Sequence, residues 1–216
     1  MLTDLSNADL TGANLADSTL RKVNFSGTIL TGADLTYVNL TTSTLPFEGS
    51  DLAGKDLTGT IFTGAILSEL DLTGVDFTGA ILYKADLSNS NLSGTDLSGT
   101  ILNQANLSGT DLSGNDLRGT HLAGADLSDA ILTGSDLSGK DLTGTIFVRA
   151  DLSYSKLTET NLSYSILVRT SLHGANLMGS DLSNANLTGA NLDDANLTDT
   201  ILTDAILDCR NHDVCN

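Results

Sequence analysis

Tryptophan is missing from the 216 residues, proline occurs once, and aromatic side chains make up only 4% of the chain. A conventional α/β enzyme core draws on far more Val, Phe, Tyr and Met than this, and a single proline excludes a collagen-like chain. Positive charge is scarce as well: 10 Lys and Arg stand against 27 Asp and Glu, for a net charge of −17. Acidity of that kind accompanies disorder when apolar residues are few, but here 40% of the side chains are apolar, so the chain is expected to fold. No run approaches the roughly 18 apolar residues of a membrane span. Nor does a basic segment lead into an apolar stretch near the N-terminus, so no signal peptide is expected, although a leader already removed would leave the same pattern.

Cysteine is limited to Cys209 and Cys215, both in the tail 208–216. Three readings are open: Cys209 and Cys215 as metal ligands with His212, a local disulfide closing the last turn, or two free thiols. Three or four ligands on a short tail make a poor metal site, and no metal is expected there. A disulfide would imply an oxidising compartment.

What the chain does have is leucine at a fixed interval. A Leu or Phe recurs every fifth residue from Leu5 to Leu45 and again from Leu52 to Leu207, filling 41 positions with 37 Leu and four Phe (Phe25, Phe62, Phe77, Phe147). Period five suits neither ordinary element. Steps of five advance about 140° around an α-helix and smear the leucines over its surface. On a strand an odd step sends successive leucines to opposite faces. A chain that turns a corner every five residues resolves the conflict, because each corner resets the inward direction and stacked coils bury one axial leucine column. The flanking positions agree. Two residues before each Leu the side chain is nearly always small (Ala8, Thr60, Ala85, Ala105), next usually comes Asp or Asn, and Ser/Thr follows, often with Gly, all suited to turns.

The runs Ala8-Asp-Leu-Thr-Gly, Ala13-Asn-Leu-Ala-Asp, Ala105-Asn-Leu-Ser-Gly and Ala185-Asn-Leu-Thr-Gly resemble the A(D/N)Lxx unit of pentapeptide-repeat proteins, and the resemblance covers nearly the whole chain. It implies an all-β fold, a right-handed quadrilateral β-helix with four pentapeptides per coil of twenty residues. At ~4.8 Å between stacked strands, the 41 units would make about ten coils and one continuous rod on the order of 50 Å long. Residues 1–207 would form the β-helix and 208–216 a C-terminal tail or cap. The two extra residues in Pro46-Phe47-Glu48-Gly49-Ser50 predict a small bulge near 46–50 with the same helix on both sides. Lys55, Leu70, Asn115 and Lys140 occupy small inward positions, so the wall should widen locally or the lysines should reach outward.

If residues twenty apart stack, each face becomes a ladder. One carries Asp56, Asp76, Asp96, Asp116 and Asp136, extended below by Asn14 and Asp34. Its neighbour carries Asp51, Asp71, Asn91, Asp111, Ile131 and Asp151. These carboxylates read either as turn chemistry or as an acidic surface. A third face shows Ile61, Ile81, Ile101 and Ile201, and the fourth Ile66, Ile146, Ile166 and Ile206. Around two of these the string Ile-x-Val-Arg repeats, predicting that Val148 stacks on Val168 and Arg149 on Arg169. Outward Ile suits a strand by propensity, while apolar stripes beside arginine mark contact surfaces. Ile146, Val148, Arg149, Ile166, Val168 and Arg169 are therefore the candidate interaction face, for a partner or for self-association.

No catalytic constellation is visible. His121, His173 and His212 are scattered, and repeated carboxylates on one solvated ladder lack the contrasting environments that an acid and a base require. The glycine-rich nonapeptide pattern of calcium β-rolls is missing too. The chain is expected to be no enzyme, to take no cofactor, to bind no nucleic acid directly and to enter no membrane. Two functions remain: a structural or protein-interaction rod acting through the Ile/Val/Arg face, or an acidic DNA mimic. The second follows from family members that act on DNA gyrase as acidic rods. A soluble chain is expected, in the cytoplasm first, or in the periplasm or thylakoid lumen if a leader was removed.

Overall fold

The computed structural model describes residues 3–25, 27–31, 33–41, 43, 52–117, 119–210 and 212–215. Its backbone pairs in parallel with the segment twenty residues further on. Strand β1 (Thr3–Asp4) lies beside β2 (Val23–Asn24), with Thr3 opposite Val23 and Asp4 opposite Asn24. Elsewhere the pairing is carried by single-residue bridges: Asp56 with Asp76, Ile61 with Ile81, Ile66 with Asp86, and Asp71 with Asn91. Bridging positions five residues apart bring the chain back over itself after four sides, and the fold is a β-helix solenoid.

Each side is short because a corner follows at once. Leu57 N donates to Asp76 O at 2.8 Å, and Asp76 N donates to Lys55 O at 3.0 Å, which ties one side to the next coil. The corner is closed by Thr60 N donating to Leu57 O at 3.1 Å, with φ of +64° at its third residue, Gly59. Asp56 reinforces the turn by accepting from Thr58 N at 3.0 Å, as Asx side chains do. Tyr154 and Arg169 hold the same corner position at φ of 59°. For such side chains that conformation costs roughly 1–3 kcal/mol and persists only when the surroundings over-determine it.

The interior is the predicted leucine column. Leu57, Leu67, Leu72 and Phe147 are fully buried, and each such leucine contributes about 1.5–3 kcal/mol over an exposed one. Phe62 and Phe77 meet edge to face, with ring centroids 6.0 Å apart. Towards the ends the column is less covered, and Leu5, Leu10, Leu197 and Leu202 are only partly buried. The small inward residues admit hydroxyls because carbonyls are within reach. Ser90 Oγ donates to Leu87 O in its own turn at 2.7 Å, while Thr100 Oγ1 donates across to Phe77 O at 3.1 Å.

The larger inward residues are absorbed in different ways. Leu70 is buried, and Asn115 Nδ2 donates to Leu92 O and Thr95 Oγ1. Neither lysine runs straight out to water. Both are half-buried, with Lys55 Nζ donating to Leu30 O at 2.6 Å and Lys140 Nζ donating to Thr120 O at 3.1 Å. Burial holds the Lys140 pKa below the usual lysine value, against an upward pull from Asp116 and Asp136.

Asp51 and the expected bulge at 46–50 lie outside the described residues. Pairing nevertheless crosses the insertion: Asn39 bridges Ile61, and Thr60 Oγ1 donates to Leu35 O at 3.0 Å. At the other end the ladder runs past Leu207. Arg210 bridges Asn191, nineteen residues back, and its N donates to Ala190 O at 2.9 Å. Cys209 and Cys215 are joined in a disulfide, so neither sulfur is a thiolate that could bind metal beside His212. Both pack, with Val214, against the end of the core.

Four hydroxyls, those of Ser18, Ser135, Ser165 and Ser180, are buried without a hydrogen-bond partner among the described residues. An unsatisfied buried polar group costs about 1–3 kcal/mol, and alanine fills the equivalent position in other coils. Ser180→Ala and Ser165→Ala should each raise stability by roughly 1 kcal/mol, read as a higher urea midpoint at unchanged slope. A lower midpoint in both variants would show that the hydroxyls are satisfied in solution.

Candidate functional site

The four sides display different chemistry. On the first, bridges join Asp56 to Asp76 and Asp76 to Asp96, and they resume from Asp136 to Lys156 and from Lys156 to Asn176. The acidic run therefore gives way to an ion pair, with Lys156 Nζ 3.5 Å from Asp136 Oδ2 on an exposed surface. Asp116 stands close enough to Asp96 to oppose its ionisation. The second acidic side bridges Asp71 to Asn91, and then Asp111 to Ile131, Asp151 and Ser171 in turn.

These carboxylates are occupied by their own turns. The carboxyls of Asp56, Asp71, Asp96 and Asp136 are held below the ordinary aspartate value, first by the Ser or Thr hydroxyl two residues on and then by its backbone N–H. Burial is the largest single influence on Asp151 and works upward, but hydrogen bonds from Ser153 and Thr133 leave it lowered. Two Asp–Asn steps are cross-linked instead of repelled: Asn106 Nδ2 donates to Asp86 Oδ1 at 3.0 Å and Asn24 Nδ2 to Asp4 Oδ1 at 3.3 Å.

The apolar sides are likewise built from bridges. Ile61, Ile81 and Ile101 pair in sequence up to His121 and are all half-buried. On the fourth side Ile146 pairs with Ile166, and Asn186 separates the pair from Ile206. Ile166 and Ile206 are exposed, and Ile146, Val148 and Val168 are half-buried. The valines precede corner residues that pair in the backbone, with Arg149 N donating to Val168 O at 3.0 Å. The guanidinium groups part company. Arg149 turns back one coil, where Nε donates to Asp129 Oδ1 at 2.7 Å and Nη2 to Oδ2. Arg169 extends over Gly189. Both arginines that border the Ile146–Ile166 stripe are exposed, and Arg149 is neutralised by its ion pair with Asp129.

One group escaped the sequence reading. His173, Asp193 and Asp194 bring ligand atoms within 4.8 Å of one another, with Tyr154 against the imidazole. The signal was present in the turn columns, where His173 and Asp193 are twenty residues apart, in place of the usual Ser and Thr.

The pentapeptide-repeats family model matches the chain at residues 3–45, 47–79, 80–119, 116–147, 145–184 and 180–209. HetL, a pentapeptide repeat protein involved in heterocyst differentiation regulation in the cyanobacterium Nostoc sp. strain PCC 7120, is 32% identical. That similarity spans 98% of this chain and 90% of HetL, with a TM-score of 0.45. Rfr23, a pentapeptide repeat protein of the cyanobacterium Cyanothece 51142, is 39% identical over 42% of this chain and 60% of its own, with a TM-score of 0.40. Trypsin-treated QnrB1, a plasmid-mediated fluoroquinolone resistance protein, is 18% identical over 87% of this chain and 88% of its own, with a TM-score of 0.53. At that identity QnrB1 is a likeness of fold alone. No curated relative matches the chain.

The turn hydrogen bonds and the Asp-on-Asp repulsion make opposite predictions in acid. The carboxyls are depressed in the folded state, so the unfolded chain takes up protons first as pH falls. Their contribution is in place above the unfolded aspartate value, near about 4, and is lost as pH drops through the folded values. The urea midpoint should therefore fall between pH 6 and pH 3. A midpoint that holds or rises over that interval would show that relief of repulsion outweighs the turn bonds.

Proposed function

Because this chain belongs to the pentapeptide-repeat family, we propose that it is a non-enzymatic interaction rod that binds a protein partner through Ile146, Val148, Arg149, Ile166, Val168 and Arg169. In this reading residues 1–207 form a right-handed quadrilateral rod of about ten coils of twenty residues, at ~4.8 Å per coil, and 208–216 cap it. The observation that carries it is the pairing of Ile146 with Ile166 on successive coils, an apolar stripe flanked by Val148, Val168 and the exposed Arg169. Contiguous apolar surface on such a rod marks contact sites, and Arg169 supplies the charge at its edge. HetL, similar over nearly the full length, is named for regulation, a task compatible with binding. The Cys209–Cys215 disulfide favours an oxidising compartment over the cytoplasm.

A second reading, the acidic DNA mimic, draws on Asp56, Asp76, Asp96, Asp116 and Asp136, and is favoured by the unbroken pairing of the first three. Magnitude works against it. Duplex DNA carries one charge per ~1.7 Å, whereas a ladder offers one carboxylate per ~4.8 Å rung, and here the next rung after Asp136 is Lys156.

Replacing Ile146 and Ile166 together by Asp should abolish partner capture or self-association while leaving the thermal midpoint within a few degrees of the parent. Sedimentation and partner binding identical to the parent would rule the face out. For the second reading, added protein should leave DNA gyrase supercoiling unchanged. Inhibition at low molar excess, lost on replacing Asp56, Asp76 and Asp96 by Asn, would reverse the order of the two readings.

A further inference from the structure

The corner formed by Tyr154, His173, Asp193 and Asp194 lies apart from the Ile146–Ile166 stripe. His173 is half-buried, and the two aspartates are exposed. Tyr154 belongs to the coil before and leans towards the corner occupied by Gly174. A Cβ added at Gly174 would lie 2.7 Å from the phenol ring, so glycine is what admits it. The Tyr154 hydroxyl is 2.8 Å from His173 Nε2, and the two rings meet edge to face with centroids 5.0 Å apart. The imidazole is thus held in orientation from one side.

Its other nitrogen faces oxygen. His173 Nδ1 is 3.1 Å from the Asp193 carbonyl oxygen and 3.6 Å from Asp193 Oδ2. In one neutral tautomer the Tyr154 hydroxyl donates to Nε2 and Nδ1–H donates to the Asp193 carbonyl; in the other Nε2–H donates to the Tyr154 hydroxyl and the Nδ1 lone pair faces those oxygens. That contact is repulsive unless a positive centre sits between them. A proton on Nδ1 is one such centre, and a divalent cation is the other. The 3.6 Å separation exceeds a hydrogen bond but is near an N···O coordination edge, roughly 3.0–3.4 Å for metal–ligand bonds of ~2.0–2.2 Å.

We infer that this corner binds a divalent first-row transition-metal ion through His173 Nδ1 and the carboxylates of Asp193 and Asp194. Tyr154 is the positioning residue: it fixes the tautomer by accepting from Nε2, the role that partners of metal-bound histidines usually play. One imidazole and two carboxylates suit Zn²⁺ or its neighbours better than Mg²⁺ or Ca²⁺, which prefer oxygen alone. Water completes the coordination on this exposed surface, and the net charge of −17 raises the local cation concentration.

The test is Zn²⁺ titration of the untagged full chain after chelator treatment, followed by long-range ¹H–¹⁵N correlation of the histidine rings. His173 resonances should shift with Zn²⁺ while His121 and His212 stay in place, and Asp193→Asn with Asp194→Asn should abolish the shift. Tyr154→Phe should weaken binding about tenfold with the thermal midpoint retained. A His173 ring that responds to pH but not to millimolar Zn²⁺ would overturn the inference. So would a response that survives the double Asn variant, and an unchanged affinity in Tyr154→Phe would remove the positioning role.

Discussion

In a parallel β-helix the backbone of each coil is satisfied by the next, so the chain must return to the same lateral position at a fixed interval. Here the interval is twenty residues, seen where Asp56 pairs with Asp76 and Ile146 with Ile166. The leucine column, the corners and the surface ladders all follow from it. A leucine can point to the axis on every side only because a corner intervenes after each one. The corner in turn requires φ > 0 at its third residue, which even Tyr154 and Arg169 adopt. Two extra residues before Leu52 change the local spacing to twenty-two, yet Asn39 still meets Ile61.

The same interval sorts the charge. Most Asp carboxylates look back into their own turns, as Asp56 does to Thr58 and Asp96 to Ser98. Part of the remaining repulsion is relieved between coils: Asn106 bonds to Asp86, Lys156 approaches Asp136, and Arg149 grips Asp129. Net charge therefore says little about what any one patch of this surface offers a partner. The alternation of stacked partners says much more.

Legibility followed the same lines. The column from Leu52 to Leu207 was readable because one residue type repeats at one spacing, and every copy meets the same environment. The bridged pairs on the four sides were readable for the same reason. The arginines were not: the backbone joins Arg149 to Val168, but nothing along the strand reveals that Asp129 draws one guanidinium away. Lys55 and Lys140 were placed between two expectations, and both ammonium groups instead found a carbonyl in an adjoining coil. His173 looked scattered because histidines were compared along the chain. Its relation to Asp193 exists only across a coil, at turn positions that the reading of the sides passed over.

The nearly identical strings that begin at Gly54 and Gly139 are eighty-five residues apart, four coils and one further side. The copies consequently face different directions, Asp56 standing in the ladder of Asp76 and Asp141 in that of Asn161. If the strings arose by duplication, the copy was rotated a quarter turn about the axis and set against new neighbours. Growth by single pentapeptides thus has a rotational consequence in this fold: adding any number not divisible by four leaves the core intact but turns the whole downstream surface. New combinations of acidic and apolar sides could then arise without a single substitution.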